Sequence, residues 1–333
     1  MSGSWRHIAI VRPCCIGDAV FALPAINALH QHAPQATIEV WTGHHSAPIH
    51  HLHGVADRIT LMPDIAGVAG AAGLARRIFA SETDLVVLLD RSQILRTGLR
   101  AIAGRHRRVL WMAPDSAPQG HEVDRFLDVL APLCISGVDS TPHLPIPNDC
   151  AAGEDAARTV VIHIGGGGNP GAQMESKQWP AASIAQAMEL LHEAGWSTSL
   201  LGGPDDVPRI AEVRAHTSVA PTDIHVGDDA LEVSATHIAA AAGYIGPDTG
   251  LTHVAAAFGI PTVAIFGPTN PSRYAPRGAT VYIAAPTDAW HLQQGDLRDA
   301  TRRVASTATA TARVGATEVV QALLAMLPSG GAP

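Results

Sequence analysis

Short apolar runs of strand length alternate along this chain with longer stretches of helical period. In the first half the strand-like runs fall at residues 7–11, 37–41, 58–61, 84–89 and 107–111, and helices are predicted at 18–31, 94–103 and 121–133. Residues 136–157 lose that rhythm and gather turn formers (Asp139, Pro142, Pro145, Pro147, Asn148, Asp149), which predicts a linker. The pattern then restarts. Strands are predicted at 159–164, 197–201, 223–225, 243–245 and 262–265, and helices at 181–194, 208–216, 232–242 and 251–258. Residues 300–312 are Ala/Thr-rich and weakly patterned, and 316–327 read as a closing helix. Strands alternating with helices in two successive blocks predict an α/β protein of two Rossmann-like parallel-sheet domains, residues 1–150 and 151–333, facing across a cleft. Such sheets bind ligands beyond the carboxyl ends of their strands, so the chemistry is sought in the loops that follow strands.

Composition narrows the class without choosing the function. With 333 residues, 47% hydrophobic and 16% charged, the chain can bury two cores and is not a disordered sequence. It has no run of about 20 apolar residues, so no transmembrane segment is expected, although peripheral contact with a membrane stays open. The N-terminal apolar run is too short for a secretory signal. Cys14, Cys15, Cys134 and Cys150 lack zinc-ligand spacing and are too few for a disulfide scaffold, which suits a cytoplasmic protein. A net charge of −8 argues against nucleic acid as a partner. Residues 1–150 are nearly balanced, with 12 Arg against 13 acidic residues; those arginines can meet an anionic acceptor or simply form a solvated surface. Of the 22 basic residues, Lys177 alone is lysine. A compact ammonium does what a planar guanidinium cannot, and that singles Lys177 out.

Five loops carry candidate chemistry. Arg12-Pro13-Cys14-Cys15-Ile16-Gly17-Asp18 follows the first strand, and Asp18 reads either as a helix N-cap or as a general base. The run Gly165-Gly166-Gly167-Gly168 follows the first strand of the second half. Glycines there let backbone N–H groups approach a phosphate, yet the run fits neither the dinucleotide fingerprint nor a Walker loop, and a flexible turn remains an alternative. Lys177 precedes Pro180 at the next helix start and faces the same loop. Asp205 or Asp206 can accept from a ribose hydroxyl or mark a helix start. Asp248-Thr249-Gly250-Leu251-Thr252-His253 is again strand, turn and helix; its first N–H groups suit a pyrophosphate, while Asp248 can be only a cap and His253 only a helix-face residue.

In order and spacing these segments resemble glycosyltransferase family 9, the ADP-heptose heptosyltransferases, over nearly the whole chain. The resemblance rests on Arg12…Gly17-Asp18…Leu23-Pro24-Ala25, His163…Gly165, Lys177-Gln178-Trp179-Pro180 and Leu201-Gly202-Gly203-Pro204. Most specific are Asp248 through Ala257, Gly259-Ile260-Pro261-Thr262 and Phe266-Gly267-Pro268-Thr269-Asn270-Pro271. It implies a GT-B fold, inversion at the anomeric carbon, no metal and no cofactor. Asp18 would be the general base and Lys177 a contact to the donor phosphates, with Gly165 and Gly166 beside them. The backbone at Thr249, Gly250 and Leu251 would hold the pyrophosphate. Asp248 and His253 would flank the sugar, and Asp205 or Asp206 the ribose. Cys14-Cys15 in place of small polar residues, and the long Gly-rich stretch 166–176, depart from the family pattern. The histidines at 44, 45, 50, 51 and 53 resemble a metal site only by count.

The expectation is an inverting glycosyltransferase that moves heptose from ADP-heptose to an acceptor hydroxyl. The acceptor would be the inner core of lipopolysaccharide or a small natural product, and no sequence feature names the residues that bind it. The alternatives are another GT-B nucleotide-sugar enzyme, such as an epimerase, and a nucleotide-sugar-binding module without catalysis.

Overall fold

The computed structural model describes residues 5–13, 15–104, 108–112, 120–147, 150, 156–169, 172–227, 230–286 and 310–328. The chain divides into two compact units, Met1–His143 and Leu144–Pro333. Each is built on its own parallel sheet.

The first unit contains β1 (His7–Arg12), α1 (Ile16–His32), β2 (Thr37–Thr42), α2 (Ala47–His53), β3 (Arg58–Leu61), α3 (Gly67–Ala80), β4 (Leu85–Leu88), α4 (Gln93–Ala103), β5 (Arg108–Trp111) and α5 (Glu122–Asp128). Its sheet runs β3-β2-β1-β4-β5, all pairs parallel. Every residue of β1 and β4 is buried, as expected of central strands covered on both faces. Helix α3 has no counterpart in the sequence prediction. Gly67, Gly70 and Gly73 make it a poor helix former in isolation. Packing explains it: a Cβ on Gly98 of α4 would overlap Ala71 of α3, so small residues let the two helices close on each other. The predicted helix 121–133 is instead α5, capped by His121 Nδ1 accepting from Val123 N–H, followed by a separate 3₁₀ turn at Ala131–Leu133 that contains Pro132.

The second unit contains β6 (Thr159–His163), a two-strand hairpin of β7 (Gly168–Asn169) and β8 (Ala172–Gln173), α6 (Ala181–Glu193), β9 (Ser197–Gly202), α7 (Val207–Arg214), β10 (Asp223–Val226), α8 (Leu231–Ala240), β11 (Gly243–Pro247), α9 (Gly250–Ala257), β12 (Thr262–Ile265), α10 (Pro271–Tyr274), β13 (Val281–Ala284) and α11 (Ala316–Leu324). The main sheet runs β10-β9-β6-β11-β12-β13, again all parallel. Val160, Ile162, Ile245 and Val263 from the strands pack with Met188 and Leu191 of α6 and Val319 and Leu323 of α11. Most of the weakly patterned stretch 300–312 lies outside the described residues. The edge strand β13 was not foreseen; it is only four residues long and half-buried.

Strand order sets where ligands can bind. In the first sheet the order reverses direction between β1 and β4, and in the second between β6 and β11. Loops leaving adjacent strands at such a point diverge to opposite faces and open a crevice at the carboxyl ends.

Candidate functional site

At the switch point of the first unit the last residue of β1, Arg12, is buried to 6% exposure. Its guanidinium donates to Asp90 Oδ2 at 2.8 Å, just past β4, and makes a second, shorter ion pair with Asp18 Oδ2. The ring of Phe126 lies 5.6 Å beneath it. One forked cation thus fixes two carboxylates at the mouth of the sheet. Asp18 is not the helix cap that its sequence context allowed. Helix α1 begins at Ile16 with Cys15 as N-cap, so Asp18 is the third helical residue and its carboxylate turns to Arg12. Cys15 holds φ at 73°, a left-handed conformation costly for a residue with a Cβ, and such strain collects at functional loops.

At the switch point of the second unit the loop after β6 and the turn after β11 come together. Asp248 is buried, and its Oδ2 accepts from Lys177 Nζ at 2.8 Å and Thr269 Oγ1 at 2.6 Å. Lys177 also donates to the Asp248 carbonyl at 2.9 Å, and His253 Nε2 stands 3.5 Å from Asp248 Oδ1. Burial alone would raise the Asp248 carboxyl, but Lys177 and then His253 outweigh it and hold it well below the usual carboxylate range. Neither Asp248 nor His253 is idle. The N-cap of α9 is Thr249, so the cap reading of Asp248 also fails.

Thr249 does not cap α9 with its side chain; its Oγ1 lies 3.1 Å from His163 Nδ1 and 3.4 Å from Thr252 Oγ1. The first N–H groups of α9, at Gly250 and Leu251, keep their partial positive charge for a ligand. Burial pushes His163 down to about 4, so this imidazole is neutral at pH 7 and orients Thr249 without adding charge.

The Gly-rich loop is shaped by close approach. A Cβ on Gly165 would overlap the Asp206 carboxylate, and one on Gly166 would overlap the Met174 carbonyl oxygen. Asp206 Oδ2 accepts the Gly203 N–H at 2.9 Å. Burial raises the Asp206 carboxyl above its ordinary value, against the opposing pull of Gly203 N–H and Arg209. Asp206 therefore braces two loops, while Asp205 beside it is exposed.

Arg209, which the sequence reading passed over, ties the loops together. It donates to the Ile164 carbonyl at 2.8 Å, the Trp179 carbonyl at 2.7 Å and Gln178 Oε1 at 3.0 Å. Trp179, 1% exposed, donates Nε1–H to the Val314 carbonyl at 3.0 Å. Lys177 is thus set by a rigid neighbour on its carboxyl side. His163, Thr269, Arg12 and Asp90 were also missing from the predicted site. His163 and Thr269 stand in the quoted motifs; Asp90 has only its place just past β4 to mark it, and Arg209 only its place in the first turn of α7. The five histidines between 44 and 53 do not form a metal-binding group among the described residues; burial lowers His50 to about 3 and His53 to about 4, so both stay neutral.

Two parallel-sheet α/β domains, each with polar groups gathered at its switch point, place the protein in the GT-B fold class. The sequence model of glycosyltransferase family 9 (heptosyltransferase) matches residues 99–298, more than half of the chain, and the protein belongs to that family. It is 24% identical over 340 residues to lipopolysaccharide heptosyltransferase 3 of Escherichia coli, covering 94% of this chain and 97% of that protein. The crystal structure of the family 9 glycosyl transferase of Veillonella parvula matches with a TM-score of 0.77 at 18% identity, over 96% of this chain and 97% of the other. The E. coli ADP-heptose lipopolysaccharide heptosyltransferase II matches with a TM-score of 0.74 at 17% identity, over 96% and 98%. Among the described residues no helix is long and apolar enough to cross a membrane.

Proposed function

We propose that this protein is an inverting, metal-independent heptosyltransferase that takes heptose from ADP-heptose, with the second unit (from about residue 151 in the sequence reading) holding the donor and the first supplying the base for the acceptor. The observation that carries the reading is the Lys177–Asp248 pair beside the start of α9 and the tight Gly165-Gly166 loop. An ammonium has three donors; Asp248 takes two of them, and the third can reach an anion. With the α9 N–H groups it forms a positive field for a diphosphate, in a place where a mobile cation is not needed.

The reaction is a single displacement. Asp18 accepts the proton of the acceptor hydroxyl as that oxygen bonds to the anomeric carbon. The bond from that carbon to the phosphate oxygen breaks, and its electron pair leaves with ADP. Lys177 and the backbone at Thr249, Gly250 and Leu251 stabilise the charge that grows on the phosphate. Arg12 keeps the Asp18 carboxylate oriented. Asp248 and His253 lie beside the transferred sugar, and exposed Asp205 is better placed than the loop-bracing Asp206 to meet the ribose. The names of the relatives favour lipopolysaccharide as the acceptor; its inner core as the target, and a cytoplasmic location, rest on the family resemblance of the sequence. A thermal-shift panel of ADP, UDP, GDP and their sugars tests the donor. ADP and ADP-heptose should raise the melting midpoint more than the others; a larger rise with UDP or GDP compounds would overturn the assignment.

A further inference from the structure

We infer that Asp223, His225 and His237 form a binding site for one zinc-class divalent cation, separate from the transfer chemistry. Asp223 and His225 alternate by two along the edge strand β10, which puts both side chains on one face of the sheet. His237 comes from the last turn of α8. One ligand atom from each of the three lies within 4.8 Å of the others, the closest grouping of metal-ligating side chains among the described residues.

Asp223 and His225 are hydrogen-bonded, but His237, the third member, stands beyond that reach. His225 Nε2 is 2.8 Å from Asp223 Oδ2, and His237 Nε2 is 3.9 Å from the same oxygen. The latter distance is too long for a hydrogen bond. Ligands at ~2.0–2.1 Å around a tetrahedral zinc stand roughly 3.3 Å apart, a value that the two distances bracket. The imidazole rings are 3.4 Å apart between centroids, tilted by 57°. Two imidazoles and a carboxylate are the borderline-soft set that zinc prefers, and Ca²⁺ or Mg²⁺ would ask for more oxygens. Asp223 is 57% exposed at its side chain, so water can fill the fourth position.

The cluster lies on the edge strand β10, three strands across the sheet from β11, after which Asp248 stands and takes Lys177. A metal here would fasten α8 to the sheet edge and touch no reacting atom.

Tag-free protein stripped with a chelator and titrated with Zn²⁺ by calorimetry, and with Co²⁺ by visible absorbance, tests this. One equivalent per chain should bind, with the intense bands of low-coordinate Co²⁺, and the melting midpoint should rise. His225→Ala, His237→Ala and the milder His237→Gln should each weaken binding by at least about 100-fold, more than loss of an outer partner does, with the metal-free midpoint unchanged. His44→Ala/His45→Ala should bind like the wild type. Absence of stoichiometric binding in the wild type, or binding unaltered in the His225 and His237 variants, would overturn the site.

Discussion

Replacing Lys177 by Met removes the cation from a carboxylate that is buried and already committed. The ammonium is 14% exposed and Asp248 7%, at 2.8 Å. Breaking such a pair from one side leaves an uncompensated buried charge and costs about 3–5 kcal/mol, far more than the roughly 0.5 kcal/mol of an ordinary surface lysine. For a unit of this size, each kcal/mol lowers the melting midpoint by about 2–4 °C, so a fall of roughly 10 °C is expected. The pH dependence has a definite sign. In the wild type the Asp248 carboxyl is depressed in the folded state, so its contribution is present above the unfolded value of 3.8 and is lost as pH falls below it. Without Lys177, His253 is left to oppose burial, so the carboxyl moves up from its wild-type position, and protonation as pH falls relieves the unpaired charge. The gap between mutant and wild type is therefore widest at neutral pH and narrows as pH falls toward about 4. Lys177→Met/Asp248→Asn should recover much of the lost stability but not the rate. Turnover should fall by roughly 10²–10³ in both, because the phosphate has lost its cation. Lys177→Arg should recover only part, since a planar fork cannot meet both Asp248 oxygens and a ligand as an ammonium does. Thermal denaturation between pH 4 and 7, with turnover and ADP affinity, checks these points. A Lys177→Met protein as stable and as active as the wild type would refute the reasoning.

Gly165→Ala should lower stability by about 1–3 kcal/mol and weaken ADP binding, because the new methyl displaces the Asp206 carboxylate that braces the loop; calorimetry on the variant reads both. Transfer should persist in EDTA, since Asp248 is held by Lys177 rather than open to a cation. Activity lost on chelation and restored by Mg²⁺ or Mn²⁺ would contradict that claim.

The central strands were legible because buried parallel strands are continuous apolar runs, and β12 matches its predicted bounds, as does the more exposed edge strand β3. Helix α3 was hidden because its three glycines weaken its helical pattern, while its close packing depends on Gly98 of α4, a relation invisible along the chain. Likewise, the loops announced Asp18, Lys177 and Asp248, but not what holds them. The capping readings of Asp18 and Asp248 were sound as local propensities. They failed because tertiary partners, Arg12 and Lys177, claim each carboxylate more strongly than a backbone N–H would. Arg12 stood inside a recognised motif without a role, and Asp90 and Arg209 act over 78 and 30–45 residues of sequence, beyond any local pattern. Lys177 was found by composition, as the single lysine among arginines.

The most direct test of the central claim is acceptor-dependent ADP release from ADP-heptose with a heptose-deficient lipopolysaccharide inner core, run on the wild type and on Asp18→Asn. Asp18 is within the helix and bound to Arg12, so Asn keeps its size and part of its hydrogen bonding but cannot take a proton. The account predicts ADP release by the wild type, a product carrying one added heptose with inverted anomeric configuration, and a roughly 10²–10⁴-fold slower Asp18→Asn that still binds ADP. No acceptor-dependent release by a wild type that binds ADP-heptose, or an Asp18→Asn as fast as the wild type, would contradict it.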